Sequence, residues 1–151
     1  MITYQQGNIF DSQMECLVNP VNTVGVMGKG LALEFKRRYP AMFSSYVRLC
    51  NSKQLVVGNP HLWTGPFGFK VLLFPTKKHW RQPSKELYIK GGLRVVAQAV
   101  SAGLIDSIAF PAIGCGLGGL DFETQVRPLL DKYLADLPID VEVYMPKERK
   151  R

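Results

Sequence analysis

The run Phe69-Lys70-Val71-Leu72-Leu73-Phe74 is apolar at nearly every position, where a half-buried strand would alternate. Such a strand has no face to give to water, so it must lie inside a sheet covered on both sides. Residues 107–113 read the same way. Between them, residues 85–101 place Leu87, Leu93, Val96, Ala97 and Val100 at helical spacing. Residues 30–38 predict another helix, in which Leu31, Leu33 and Phe35 mix two periods. It stops at Tyr39-Pro40 because the residue before proline avoids helix. Residues 2–6, 16–19, 55–57 and 141–145 read as further strands and 41–49 as a further helix. Asp121 suits the N-cap of a helix over 122–134 that must hold or kink at Pro128. Helices alternating with buried strands predict an α/β fold, a mixed sheet between helical layers.

With 151 residues, 46% of them hydrophobic, the chain can bury one substantial core, and a single domain over 1–151 is expected. No apolar run reaches the roughly 18 residues of a membrane span, and the start Met1-Ile2-Thr3-Tyr4-Gln5 lacks a signal-peptide profile. A soluble, cytoplasmic protein without a membrane partner is expected. The three cysteines, Cys16, Cys50 and Cys115, are an odd set without metal-ligand spacing. Neither a disulfide framework nor a metal is expected, and no cofactor.

The formal net charge of +7 gathers in residues 36–38, 77–81 and 147–151, the last read as a solvated, flexible tail. In the middle cluster His79 and Trp80 interleave with Lys77, Lys78 and Arg81, a mixture that suits phosphate pairing with base stacking. His79, Trp80 and Arg81 are therefore candidate nucleic-acid contacts.

In open sheets of this kind, ligands gather where loops leave the carboxyl ends of the strands. Three such loops carry chemistry. The first, Val21-Asn22-Thr23-Val24-Gly25-Val26-Met27-Gly28-Lys29-Gly30, joins an apolar strand to a helix, where backbone N–H groups can wrap a phosphate. Asn19 and Asn22 add side-chain amides that can read sugar hydroxyls, so a nucleotide-diphosphate site is outlined. The second loop is residues 75–81. The third, Gly114-Cys115-Gly116-Leu117-Gly118-Gly119, has G-x-G-x-x-G spacing, but only one strand follows it, leaving no room for a dinucleotide-binding half. The Gly28-Lys29 pair likewise lacks the spacing and hydroxyl of a phosphate loop that holds magnesium.

Four segments together, Gln6-Gly7-Asn8-Ile9-Phe10, the Val18 to Gly30 loop, Phe74-Pro75-Thr76-Lys77-Lys78-His79-Trp80-Arg81, and Pro111-Ala112-Ile113-Gly114-Cys115-Gly116-Leu117-Gly118-Gly119-Leu120, resemble a macrodomain. Within that family they are most similar to the branch of the DarG antitoxins and the human terminal ADP-ribose glycohydrolase. The resemblance runs from residue 1 to about residue 145, in order.

It implies a three-layer α/β/α sandwich with a pocket for ADP-ribose. Asn8 would hold adenine through its side chain and Ile9 through its backbone N–H. Gly25, Val26, Met27, Gly28, Gly30 and Leu31 would take the diphosphate and distal ribose, with Asn19 and Thr76 among the contacts. Gly114, Cys115, Gly116, Leu117, Gly118 and Gly119 would close from the other side. Asn22 would bind the distal ribose next to the anomeric carbon, or else brace its own loop. Lys77 matches the branch's catalytic lysine, acting as amine nucleophile or as fixed positive charge. The human enzyme's second, acidic group aligns with Gly118, and Asp121 nearby is explained as a helix cap.

The activity implied is removal of ADP-ribose from a DNA base through a thymidine-type linkage. It would be a DarG-like antitoxin activity, carried out by a monomer with a cognate ADP-ribosyltransferase toxin as partner. The alternatives are hydrolysis of ADP-ribose 1''-phosphate or protein-linked ADP-ribose, and non-catalytic reading of ADP-ribose.

Overall fold

The structure, a computed structural model, describes residues 1–147; residues 148–151, most of the basic tail, lie outside the described residues. Six strands form one sheet: β1 (Ile2–Gln5), β2 (Cys16–Asn22), β3 (His61–Thr64), β4 (Lys70–Lys77), β5 (Ser107–Phe110) and β6 (Asp140–Tyr144). Their order is β1-β6-β5-β2-β4-β3. Only β3 runs antiparallel to its neighbour, as a hairpin partner of β4. The helices are α1 (Gly30–Arg38), α2 (Pro40–Asn51), α3 (Glu86–Ser101) and α4 (Arg127–Leu134).

The expected strand at residues 55–57 does not form. Leu55 is buried as a core anchor beneath α2, while Val56 makes a single bridge to Asn59 as the chain turns through Gly58 at φ +80°. The edge strand begins later, at His61, in a half-buried stretch without alternation. The expected helix over 122–134 is divided at its proline. Residues Phe122–Val126 form a π-turn capped by Asp121, and α4 then starts with Pro128 in its first turn, where its missing N–H costs nothing.

The two faces of the sheet make two cores. Leu17 and Val21 of β2 pack with Phe35 of α1 and Met42 and Tyr46 of α2. Cys16 and Val18, of opposite parity, pack with Ile89, Leu93 and Val96 of α3 and Leu130 of α4. Full burial of each such aliphatic side chain stabilises the fold by about 1.5–3 kcal/mol. Gly92 lets α3 lie directly on the sheet, since a Cβ there would run into the Phe74 ring.

This layering places the site. From β2 the chain passes to α1 on one face, whereas from β4 and β5, the two neighbours of β2, it passes to α3 and α4 on the other. The carboxyl end of β2 is therefore a switch point, where outgoing loops separate and leave a crevice. The β2–β5 ladder also stops early, at Leu17 opposite Ala109, with Pro20 and Pro111 beyond it. Among the described residues, no helix is long and apolar enough to cross a membrane.

Candidate functional site

The crevice is a cleft of about 700 Å³, inside the roughly 300–1,000 Å³ range of small-molecule sites. Of the residues singled out in the sequence, Asn22, Val26, Gly28, Gly30, Leu31, Thr76, Lys77, Gly114, Cys115, Leu117 and Gly118 line it, with Trp80 and Arg81 at its rim. Pro20, Val21, Lys29, Ala32 and Ala112 also line it without having been singled out. Their signal was positional only: each lies within two residues of one that was.

Several expected contacts lie elsewhere. Asn19 is fully buried, its amide nitrogen 3.8 Å from Met27 Sδ and 3.9 Å from Met42 Sδ, so it faces the core and not the cleft. Met27 is buried in the same place. Gly25, Gly116, Gly119 and His79 stand outside the lining. Asn8 caps a short 3-10 turn, its Oδ1 accepting from Phe10 N at 3.0 Å, and Ile9 is buried beneath it. Both leave the carboxyl end of β1, the sheet edge that the cleft shares, but they do not line it.

Local sequence explains how the loops are held. Gly30 opens α1 at φ +56°, a left-handed conformation that favours glycine. The N-cap, Lys29, makes no side-chain bond to the helix, so the first N–H groups of α1 face the cleft without an intrahelical partner. Opposite, Gly114 at φ +75° is boxed in: a Cβ would lie 2.8 Å from Leu120 Cδ1 and 3.2 Å from Ser84 Oγ. Ser84 N donates to Gly118 O at 2.8 Å and Thr23 Oγ1 to Lys78 O at 2.8 Å, so the three loops brace one another.

Asn22 and Lys77 end their strands side by side, after a register shift that leaves Thr76 unmatched. Asn22 is 8% exposed. Its Nδ2 donates to Val26 O at 2.8 Å, and its Oδ1 accepts from Val24 N at 3.1 Å and from the Tyr46 hydroxyl at 2.7 Å. The amide braces the loop while still facing the cleft. Tyr46 was missed in the sequence because a fully buried aromatic at helical spacing reads as core.

Charge in the cleft has one sign. Lys29, Lys77 and Arg81 line it and, among the described residues, no carboxylate does. Burial lowers the pKa of Lys77 below the ordinary lysine value, and its Nζ lies 3.5 Å from Trp80 O. Burial, with the nearby Asp121 charge, pushes the Cys115 thiol up to about 11, so it stays protonated near neutrality. Hydrogen bonds from Thr124 hold the Asp121 carboxyl low, as its capping position requires. At the rim, the Arg81 guanidinium lies 4.5 Å from the Trp80 ring centroid and His79 5.1 Å from it on a tilted plane. Trp80 and Leu117 remain open to solvent. Among the described residues no group of His, Cys, Asp and Glu could hold a metal ion.

Residues 18–128 match the family model described as Macro domain. The macrodomain of Thermus aquaticus DarG superimposes with a TM-score of 0.90 at 39% identity, covering 97% of this chain and 99% of that one. A DNA ADP-ribosyl glycohydrolase of Mycobacterium tuberculosis is 43% identical over 154 residues, which span all of this chain but 44% of the relative. Thermosipho africanus DarTG, solved in complex with ADP-ribose, superimposes with a TM-score of 0.92 at 38% identity, covering 99% of this chain and 43% of that one. Its curated counterpart is described as a DNA ADP-ribosyl transferase-DNA ADP-ribosyl glycohydrolase fusion protein. The chain thus spans less than half the length of these two curated relatives. Similarity of this order, with nearly all of this chain and of the Thermus domain superimposed, leaves no part of the fold unaccounted for: the chain belongs to the macrodomain family.

Proposed function

We propose that this protein is an ADP-ribosyl glycohydrolase that removes ADP-ribose from a nucleic-acid base, a thymidine-type linkage in DNA, in the manner of a DarG antitoxin. The observation that carries the reading is the pairing of Asn22 with Lys77 at the floor of a cationic, glycine-lined cleft. The printed names of the similar proteins, DNA ADP-ribosyl glycohydrolase among them, support it. The unpartnered N–H groups of α1 and the loop over residues 114–118 suit the diphosphate.

In this reading Asn22 holds the distal ribose and Lys77 stands at its anomeric carbon. Burial lowers the proton affinity of Lys77, the direction that attack on that carbon by a neutral amine requires. The amine forms a bond to the anomeric carbon as the bond to the base nitrogen breaks, and the base leaves with a proton. Ring opening gives an imine, which water hydrolyses to free ADP-ribose and the lysine amine. Trp80, Arg81 and His79 at the mouth take the adjoining base and phosphates. The setting proposed is a cytoplasmic monomer with a cognate ADP-ribosyltransferase as partner, in keeping with the fusion description of the Thermosipho relative.

One observation favours a second reading, a non-catalytic ADP-ribose reader: among the described residues, no carboxylate lines the cleft to act as a second catalytic group. Release of ADP-ribose from modified DNA, RNA and protein, measured side by side with purified protein, decides the matter. Release from DNA alone is expected. Binding without release from any substrate would establish the reader, and release from protein alone or from ADP-ribose 1''-phosphate would establish a different hydrolase.

A further inference from the structure

We propose that Tyr46 is a positioning residue for the cleft, holding Asn22 so that it offers the ligand an amide N–H and never its carbonyl. The inference rests on the ADP-ribose reading above and assigns the polarity of recognition at its distal ribose.

The Asn22 side chain is tied at both ends to one residue of its own loop. Its Nδ2 donates to Val26 O at 2.8 Å, and its Oδ1 lies 3.4 Å from Val26 N. The same Oδ1 accepts from Val24 N at 3.1 Å and lies 2.7 Å from the Tyr46 hydroxyl. An amide oxygen has two lone pairs, and the Val24 and Val26 N–H groups with the shared Tyr46 hydroxyl hydrogen fill its accepting capacity. Turning the amide over would set an NH2 group against two backbone N–H donors and an oxygen against a carbonyl. The hydrogen-bond network therefore fixes which atom is nitrogen.

What remains for the cleft is the second hydrogen on Nδ2. Asn22 lines the cleft, and among the described residues that nitrogen has no partner other than Val26 O. A single donor reads an acceptor, so a ribosyl oxygen must present a lone pair to Asn22 and direct its own hydrogen elsewhere.

Tyr46 enforces this arrangement from beneath. It is fully buried in α2, 24 residues away in sequence, and its hydroxyl also lies 2.8 Å from the Asn22 backbone O. Its one hydrogen is shared between the main-chain and side-chain oxygens of the same residue, which holds the two together. Burial drives the phenol pKa far upward, so it stays a donor at every working pH. Tyr46 touches no ligand itself and does not line the cleft.

Calorimetry with two ligands tests the assignment. ADP-ribose reaches the distal ribose, whereas ADP stops at the diphosphate. Tyr46→Phe keeps the buried ring and removes the hydroxyl; about a 3- to 10-fold loss of ADP-ribose affinity is expected, as for one neutral hydrogen bond, with ADP changed less than 2-fold. Asn22→Asp, nearly isosteric, removes the donor and is expected to discriminate the two ligands in the same sense. The double variant should lose less than the sum, because both changes act through one network. Equal losses for ADP-ribose and ADP, or no loss in Tyr46→Phe, would overturn the proposal and leave Tyr46 as core. Failure of the unmodified protein to bind ADP-ribose would instead remove the functional reading and this inference with it.

Discussion

Asn22 and Lys77 face each other across β2 and β4 as the first matched pair beyond the shift that leaves Thr76 unpaired. In an unbroken register, Asn22 would stand opposite Thr76. The bulge advances β4 by one residue and sets Lys77 in place of Thr76 opposite Asn22 at the cleft, a re-aiming for which bulges beside functional sites serve. Removing either member of the pair should have a different consequence.

Lys77→Ala is expected to lower turnover on an ADP-ribosylated oligonucleotide by about 100-fold or more, the scale of a lost reacting group. Affinity for free ADP-ribose should change by less than about 3-fold, because the diphosphate and glycine-loop contacts persist. Rapid-quench assays alongside calorimetry separate the two. Turnover at the unmodified rate on every substrate would displace Lys77 from the reaction.

The depressed proton affinity of Lys77 gives a pH signature. If the neutral amine acts, turnover should rise with pH around a midpoint below the ordinary lysine value of 10.5. The sign for folding follows from linkage: the unfolded chain binds this proton more tightly than the folded one. The Lys77 contribution to stability is therefore present above the ordinary lysine value and lost as pH falls through the lowered folded value. Denaturant midpoints of the protein and of Lys77→Met, measured across that alkaline window, should converge toward its upper end.

Two glycines of the third loop should respond unequally to a methyl group. Gly119→Ala meets open space and suffers only its left-handed φ of +84°, a cost of about 1 kcal/mol. Gly114→Ala adds a collision with Leu120 and Ser84 to its own left-handed strain, so a further loss of roughly 1–3 kcal/mol is expected. Thermal melts rank the two, and ADP-ribose titration should follow the same order, since Gly114 lines the cleft and Gly119 does not.

For nucleic acid, affinity for a modified oligonucleotide should fall as salt rises. Arg81→Ala should shallow the log–log slope by about 1, while Trp80→Ala should weaken binding with the slope nearly unchanged, because stacking releases few counterions. Fluorescence anisotropy over a salt series reads both. Salt-independent binding would reduce the rim cations to a solvated surface.

The run over residues 69–74 announced a doubly covered strand because apolar cores pack on both faces of the sheet there, and β4 is buried along nearly its whole length. The glycine loops were legible for a related reason: left-handed turns leave few other choices of residue. The facing of Asn22 and Lys77 was not legible, since register is a relation between strands 55 residues apart that no local pattern encodes. β3 was misplaced because Leu55 carries the apolar signal of a strand while serving as an anchor, and His61–Thr64, apolar only at the adjacent Leu62 and Trp63, does not alternate. Asn19 and Asn22 look alike in sequence, yet the pleat turns one into the core and leaves the other at the cleft.

Extending the β2–β5 ladder beyond Leu17 and Ala109 would soon match Asn19 with Pro111 and Pro20 with Ala112. A proline has no N–H to give, so neither seam could be sewn from both sides. The gap is thus written into the chain as missing donors: the doorway stands open before any visitor arrives.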